Sequence, residues 1–425
     1  MFKTQWLAII LGIIVSDVYA SESESCMVRT ADGPPQPIIN VQDVGIAAAI
    51  KAVEENGSGT LLFPSGDYFF GKRGQYPYFE LKNMRNLHIV GEGPDSTLIL
   101  ASPISDGERQ GRILNISDSE NVRISCLKFS GQRAKFRGIK EQQNNVFIRR
   151  TKNVIVENII SEGAFGDGLN LGDVQNVHVL NSKFDNNERN GITFGHGISS
   201  NLHVTKNIFG AGIDTQQIDF EHGEYSNVLI SGNEFERMQP EDLETRDQFA
   251  ITITSVDGAK VVNNRVNNPI LVRNSSNVEL LGNKSMDQLT IDRDSVGVLV
   301  VENEFSIKAG NRKVNKGVAG VLAIGRARLF PDNLRIERNT FNFSAPYEHH
   351  LFISDVRSFT LKDNVFINTN QDIKIGLESN RIDIEGFIDA NVIVSQVAHN
   401  NHVLETKVTK RIGKKVTLRE VDFDR

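Results

Sequence analysis

The stretch NVIVENIISEGAFGDGLNLGDVQNVHVLN, Asn153 to Asn181, contains one short phrase twice. NVIVEN from Asn153 returns as NVHVLN from Asn176, as NLHVTKN from Asn201 and as NVLISGN from Asn227, at gaps of 23, 25 and 26 residues. A period in the twenties predicts a solenoid, whose repeats bury their apolar faces against one another. Weaker copies stand upstream from Asn86 and Asn121, and downstream from Asn277, Gly297, Asn333 and Ser358. The pattern therefore covers most of the chain.

Each copy alternates apolar and polar residues, as in Val177, His178 and Val179, which marks a short strand with one buried face. Asn follows most copies, often with Phe two residues later: Asn207 and Phe209, Asn233 and Phe235, Asn303 and Phe305, Asn339 and Phe341, Asn364 and Phe366. An inward bend explains both, because stacked amides satisfy one another and stacked rings fill the interior. A second strand lies between copies, at Leu169, Ile192, Ile218 and Ile251. Coils of two or three strands without helices describe an all-β parallel β-helix.

At the start, Asp43 is expected to cap an amphipathic helix through Ile46, Ile50 and Val53, and GTLLFPSGDYFF from Gly59 begins the coils. A helix, a Gly-rich turn, an apolar strand, Pro-Ser-Gly-Asp-Tyr and then NV-x-I-x-N coils resemble the pectate-lyase-like superfamily. Over about residues 36 to 395 the resemblance implies a right-handed, single-stranded parallel β-helix with a short N-terminal capping helix. It leaves the reaction open, since such folds host hydrolases, lyases, epimerases and adhesins. The expected organisation is a signal peptide over 1–20, an N-terminal segment and capping helix over 21–58, the β-helix over 59–395 and a C-terminal cap over 396–425.

The leader is read from Lys3, the apolar run Trp6 to Val15 and Val18-Tyr19-Ala20, and it implies a secreted or periplasmic protein. No run is long enough to span a bilayer. The formal charge is −6, with no basic and aromatic interleaving, which argues against nucleic acid. Cys26 and Cys126 are the only cysteines; no disulfide framework holds the fold, and Cys126 is expected as a buried thiol, one bridge remaining open. A monomer is expected.

Setting the apolar pairs Leu169/Leu171, Ile192/Phe194, Ile218/Phe220 and Ile251/Ile253 inward predicts an outward column of Asn170, Thr193, Asp219 and Thr252. Two residues later runs a column of Arg149, Gly172, Gly195, Glu221, Thr254 and Arg273; two residues earlier, one of Asn144, Asp167, Asn190 and Gln216. Asp219 and Glu221, at i and i+2, stand roughly 6.6 Å apart along a strand, near the separation of paired glycosidase carboxyls. Asp214, His222 and Glu224 share their coil, beside Asp167 and His196. The bland alternative is a solvated strand face, which alternates in the same way.

The first expectation is an exported glycoside hydrolase. Asp219 and Glu221 are the paired carboxylates, without assignment of acid and base, and Asp167 and His196 assist. Arg149, Asn170, Asn190, Thr193, Gln216 and Arg273 bind the polysaccharide. GHGIS from Gly195 resembles the Gly-His-Gly of polygalacturonases, but the paired aspartates and the Arg-Ile-Lys motif of that family are absent, so His196 is placed at the border of the cleft. IDFEHGE from Ile218 resembles, more loosely, the Asp-Pro-His-Glu motif of alginate epimerases. That likeness implies His222 as a base on a uronate, with Arg149 or Arg273 neutralising its carboxylate. A lyase or epimerase acting on an acidic polysaccharide is therefore the second reading, and a non-catalytic glycan-binding protein the third. No cofactor is required by the hydrolase reading; Ca²⁺ on Asp167, Asp219 and Glu221 stays open.

Three loops carry charge: Arg133 to Asn145 and Ser306 to Lys316 are basic, and Met238 to Asp247 is acidic. The first is expected to overhang the groove. The basic tail from Lys407 to Arg419 is expected to close the last coil.

Overall fold

The computed structural model describes residues 37–70, 79–100, 112–133, 144–238, 248–284, 286–307, 318–325, 329–343, 349–367, 374–378, 385–389 and 393–398. The expected leader, most of each charged loop and the basic tail expected to close the last coil lie outside these residues.

Every strand pairing is parallel, and successive coils stack in the register that the repeat dictates. Val154 lies beside Val177, Val177 beside Leu202, and Leu202 beside Val228. The chain is a right-handed parallel β-helix. Long strands such as Val146–Glu157 and Leu169–Leu180 bend at left-handed residues, Asn153 (φ 55°) and Asn176 (φ 54°) among them. Asn tolerates that conformation better than most residues, which explains its recurrence at the head of the phrase. One continuous core runs through the coils, including the stacked rings Phe184, Phe209 and Phe235, with centroids 5.5 and 4.8 Å apart.

Two asparagine ladders run along the solenoid. The exposed one links Asn86, Asn121, Asn153, Asn176, Asn201 and Asn227, each after the first donating to the asparagine of the preceding coil at 2.6 to 2.9 Å. The buried one links Asn207, Asn233, Asn264, Asn283, Asn303, Asn339 and Asn364, each but the last donating to the asparagine of the following coil at 2.9 to 3.1 Å. This is the inward bend expected from the Asn and Phe spacing. Asn158 and Asn181, at the ends of the earlier phrases, instead adopt left-handed conformations, and buried Ser182 joins the ladder by donating its N–H to Asn207.

Asn233 illustrates the energetics. Its Oδ1 accepts from the Asn207 N–H and Nδ2, and its Nδ2 donates to the Val204 carbonyl and Asn264 Oδ1. Asn233→Ala strands these buried partners, so a destabilisation of at least about 3 kcal/mol is expected from the shift of the urea midpoint. Asn201→Gly, in the exposed ladder and with its left-handed backbone retained, is expected to cost under about 1 kcal/mol.

Two details differ from expectation. Asp43 does not cap the long helix: it lies in a separate turn, Val41–Val44, capped by Asn40, whose side chain accepts from the Gln42 N–H. Gly45, at φ 82°, breaks the chain direction before the helix Ile46–Asn56, which buries Ala49, Ile50 and Val53 against the first coil. Cys126 is buried but disulfide-bonded rather than a free thiol, and Cys26 is the only other cysteine in the sequence. No helix among the described residues is long and apolar enough to cross a membrane.

Candidate active site

The outward column forms as the alternation dictates: Asn170 beside Thr193, Thr193 beside Asp219, and Asp219 beside Thr252. Leu169, Leu171, Ile192, Phe194, Ile218 and Phe220 point into the core and fix the opposite direction for the polar residues between them. Upstream in the same column stand Phe147, Asn115 and Glu80.

At its middle lie three carboxyls and one guanidinium. Arg189 bonds Glu221 through Nη2, and its Nε lies 3.6 Å from Oδ1 of Asp167. Arg189 is in the turn just before Asn190. Burial works against its charge, but Asp167, Glu221 and Asp219 outweigh burial and hold the guanidinium proton more tightly than usual.

Asp167 is 0 % exposed and accepts from Asn170 Nδ2 at 2.7 Å. Burial raises its proton affinity, while Arg189, Asn170 and Thr193 favour the charged form. Asp219 accepts from the Thr252 hydroxyl and, at 3.4 Å, from Asn190 Nδ2. Burial pushes its pKa from 3.8 up to about 6, against the Thr252 hydrogen bond and with help from the neighbouring Glu221 charge. Asn190, itself 0 % exposed, ties the coils together: it also donates to Thr193 at 2.9 Å and accepts from Thr215 at 2.6 Å and the Gln216 N–H at 3.1 Å.

Glu221 lies just past the strand Gln216–Phe220, its N–H donating to the Phe194 carbonyl at 2.8 Å. His222 follows with φ 55°, its Nε2 3.4 Å from Glu221 Oε1 and its ring stacked on His196 at 5.3 Å between centroids. Both histidines are exposed, at the rim. Gly197, at φ 107°, closes the corner against Asp173; an added Cβ would lie 2.7 Å from the Asp173 Cβ. Beneath this rim the buried Tyr225 hydroxyl lies within hydrogen-bonding reach of the Phe194, Gly195 and Glu221 carbonyls, at 2.6, 2.9 and 2.7 Å. Tyr225 thus fixes the backbone beside both histidines.

The structure brings together Asp167, Asn170, Asn190, Thr193, Asp219 and Glu221, with His196 and His222 at the edge. Gln216 is held at the margin through its backbone. Arg149 is exposed, its Cγ packed over Gly172. Arg273 does not join the group: its Nε and Nη2 both donate to Asp292 at 2.9 Å, and Asp292 is 1 % exposed. Asp214 pairs with Arg133, so the described start of the first basic loop is anchored three coils onward. Glu224 is exposed beside Ile198. Asp167 and Glu221, two of the three carboxylates on which Ca²⁺ was left open, are bridged by Arg189, and among the described residues no group of three or more His, Cys, Asp or Glu is placed to hold a metal ion.

The Asp219 environment gives a stability prediction. A carboxyl that ionises near 3.8 in the unfolded chain and about 6 in the folded one costs nothing below both values; the penalty grows between them and is complete above the higher. Asp219→Asn is therefore expected to stabilise the fold by about 3 kcal/mol at pH 8 and to change little at pH 3.5, read from urea midpoints at the two pH values.

No protein-family profile matches the chain, and no curated protein sequence does. Solved structures do. The A-module of mannuronan C-5 epimerase AlgE6 from Azotobacter vinelandii superposes with a TM-score of 0.54 at 14 % identity, covering 90 % of this chain and 100 % of that one. The AlgE4 A-module from the same organism gives a TM-score of 0.51 at 16 % identity, over 87 % and 100 %. A family 28 exopolygalacturonase from Yersinia enterocolitica gives 0.49 at 14 % identity, over 82 % and 78 %. What this chain shares with the two epimerase modules is the fold.

Proposed function

We propose that the protein is an exported glycoside hydrolase that cleaves a polysaccharide lying along the outward column. The observation that carries this reading is the Asp219 carboxyl, held near a pKa of about 6 beside Glu221, which Arg189 fixes as its ion-pair partner. Two carboxyls in such unlike surroundings divide the roles of acid and base. Asp219 is the general acid that protonates the leaving oxygen, and Glu221 is the carboxylate that receives the water proton or the sugar carbon. Asp167, sealed from the surface, positions Arg189 and Asn170 and does not touch the polymer. Asn190 and Thr193, buried like Asp167, hold the acid in place, and the half-buried Asn170 orients the sugar. The two fold relatives named for mannuronan support a glycan as the substrate class.

The acid form of Asp219 exists below about pH 6, so turnover is expected to fall as the pH rises through that value. Thr252→Val removes a hydrogen bond that favours the ionised form, and the alkaline limb should move to higher pH. A limb that stays in place in this variant would remove Asp219 from the acid role.

His222 favours a second reading. Its exposed imidazole lies against Glu221 and on His196, as a base needs if it is to take the proton beside a uronate carboxylate. On that reading the products are unsaturated or epimerised, and His222→Gln abolishes their formation.

A further inference from the structure

The column continues upstream of the carboxyls through Asn170 to Phe147 and Asn115. Phe147 is half-buried on the outward face, and the Arg112 guanidinium lies over its ring, 3.5 Å from the centroid. Arg112 Nε has no hydrogen-bond partner, nor does Asn115 Oδ1, although Asn115 donates to Glu80 at 3.2 Å. Glu80 is matched by Lys82 at 2.9 Å. Arg149 is exposed in the adjoining column and makes no ion pair among the described residues. Its neighbour Arg150 is different, being bound to Asp118 through two nitrogens. Two guanidiniums thus stand on one face without an ion pair among the described residues: Glu80, the one carboxylate near Arg112, is bound by Lys82 and Asn115, and the other carboxyls gather farther along the same groove.

We propose that Arg112 and Arg149, with the Phe147 ring, form a subsite for an anionic sugar unit, a uronate or a sulfate ester, upstream of the reacting centre. The inference rests on the groove being the polysaccharide site proposed above and names the class of polymer it takes. Burial works against the Arg112 charge, Glu80 supports it, and Arg149 adds repulsion; an anion between the two guanidiniums relieves that repulsion. Guanidinium also suits the recipient groups, because its planar fork pairs two nitrogens with two oxygens of a carboxylate or sulfate. The free part of the Phe147 ring offers the sugar an apolar wall. Three strand spacings separate Phe147 from Asp219, about 14 Å at ~4.8 Å each. The subsite therefore holds a unit some way from the reacting bond and acts on binding.

The test is a binding titration on the Asp219→Asn protein, so that no substrate is consumed. The probes are oligogalacturonate, a sulfated oligosaccharide and a neutral cello-oligosaccharide of equal length. Binding of at least one anionic probe, weakening with salt, is expected. Arg112→Gln and Arg149→Gln should each weaken it about tenfold or more and flatten its salt dependence, with the neutral probe unaffected. The probe more affected identifies carboxylate or sulfate. Equal affinity for neutral and anionic probes, no binding of either anion, or full binding in the Arg149→Gln variant, whose exposed side chain the fold does not need, would overturn the subsite. Failure of the hydrolase reading has a separate signature, because it leaves these affinities intact while the unsubstituted protein releases no reducing ends.

Discussion

Asp219→Asn is expected to lower turnover between about a hundredfold and ten-thousandfold, the contribution of a well-placed general acid. The substitution keeps the shape of the side chain and leaves an amide able to meet Thr252 and Asn190, so the coil stack should not change. Stability provides the internal control. A variant that is nearly inactive, unchanged in its unfolding at pH 3.5 and more stable than the parent at pH 8 has lost a strained acid and nothing else. Glu221→Gln should show a comparable loss of turnover, since an amide neither accepts the proton of water nor forms a bond to the sugar carbon. Full activity in both variants would place the chemistry elsewhere.

The second large effect is expected at Arg189. Its guanidinium is the cation that bridges Asp167 and Glu221, and Asp167 has no exposure through which water can replace it. Arg189→Met leaves a buried carboxylate without a cation, a change that typically costs about 3 to 5 kcal/mol. Asp167 escapes part of that cost by keeping its proton. The raised proton affinity fixes the sign: the destabilisation should be small at acid pH, where Asp167 is neutral, and grow as the pH rises. Turnover should fall as well, because Glu221 loses the contact that orients it. Chemical unfolding at pH 4 and pH 8 separates the two consequences, and an equal loss at both would mean that Arg189 serves packing alone.

The parts legible in the sequence are those governed by strand periodicity. Alternation sets which side chain faces out, and the repeat sets which coils are neighbours, so the stacking of Asn170, Thr193, Asp219 and Thr252 follows from the residue pattern alone. Arg189 does not, because it lies in a turn where no alternation assigns a direction. Tyr225 is obscured differently: it is inward-facing, and its hydroxyl reaches backbone carbonyls, which carry no side-chain signature. Arg273 obeys the stacking rule, but the expectation of a sugar contact stopped one coil short. The next coil in the same column places Asp292 beside it, and that pairing makes a structural ion pair. Asp43 is of the right type for a helix cap, yet Gly45 separates it from the long helix and breaks the chain direction.

Hydrolysis and elimination are separated by incubating purified protein with acidic and neutral polysaccharides while following reducing ends and ultraviolet absorbance together. New reducing ends are expected from an anionic polymer without any gain in absorbance, and none from the Asp219→Asn protein. Reducing ends that rise together with absorbance would mean elimination to an unsaturated uronate, and would contradict the assignment of Asp219 and Glu221 as a hydrolytic pair.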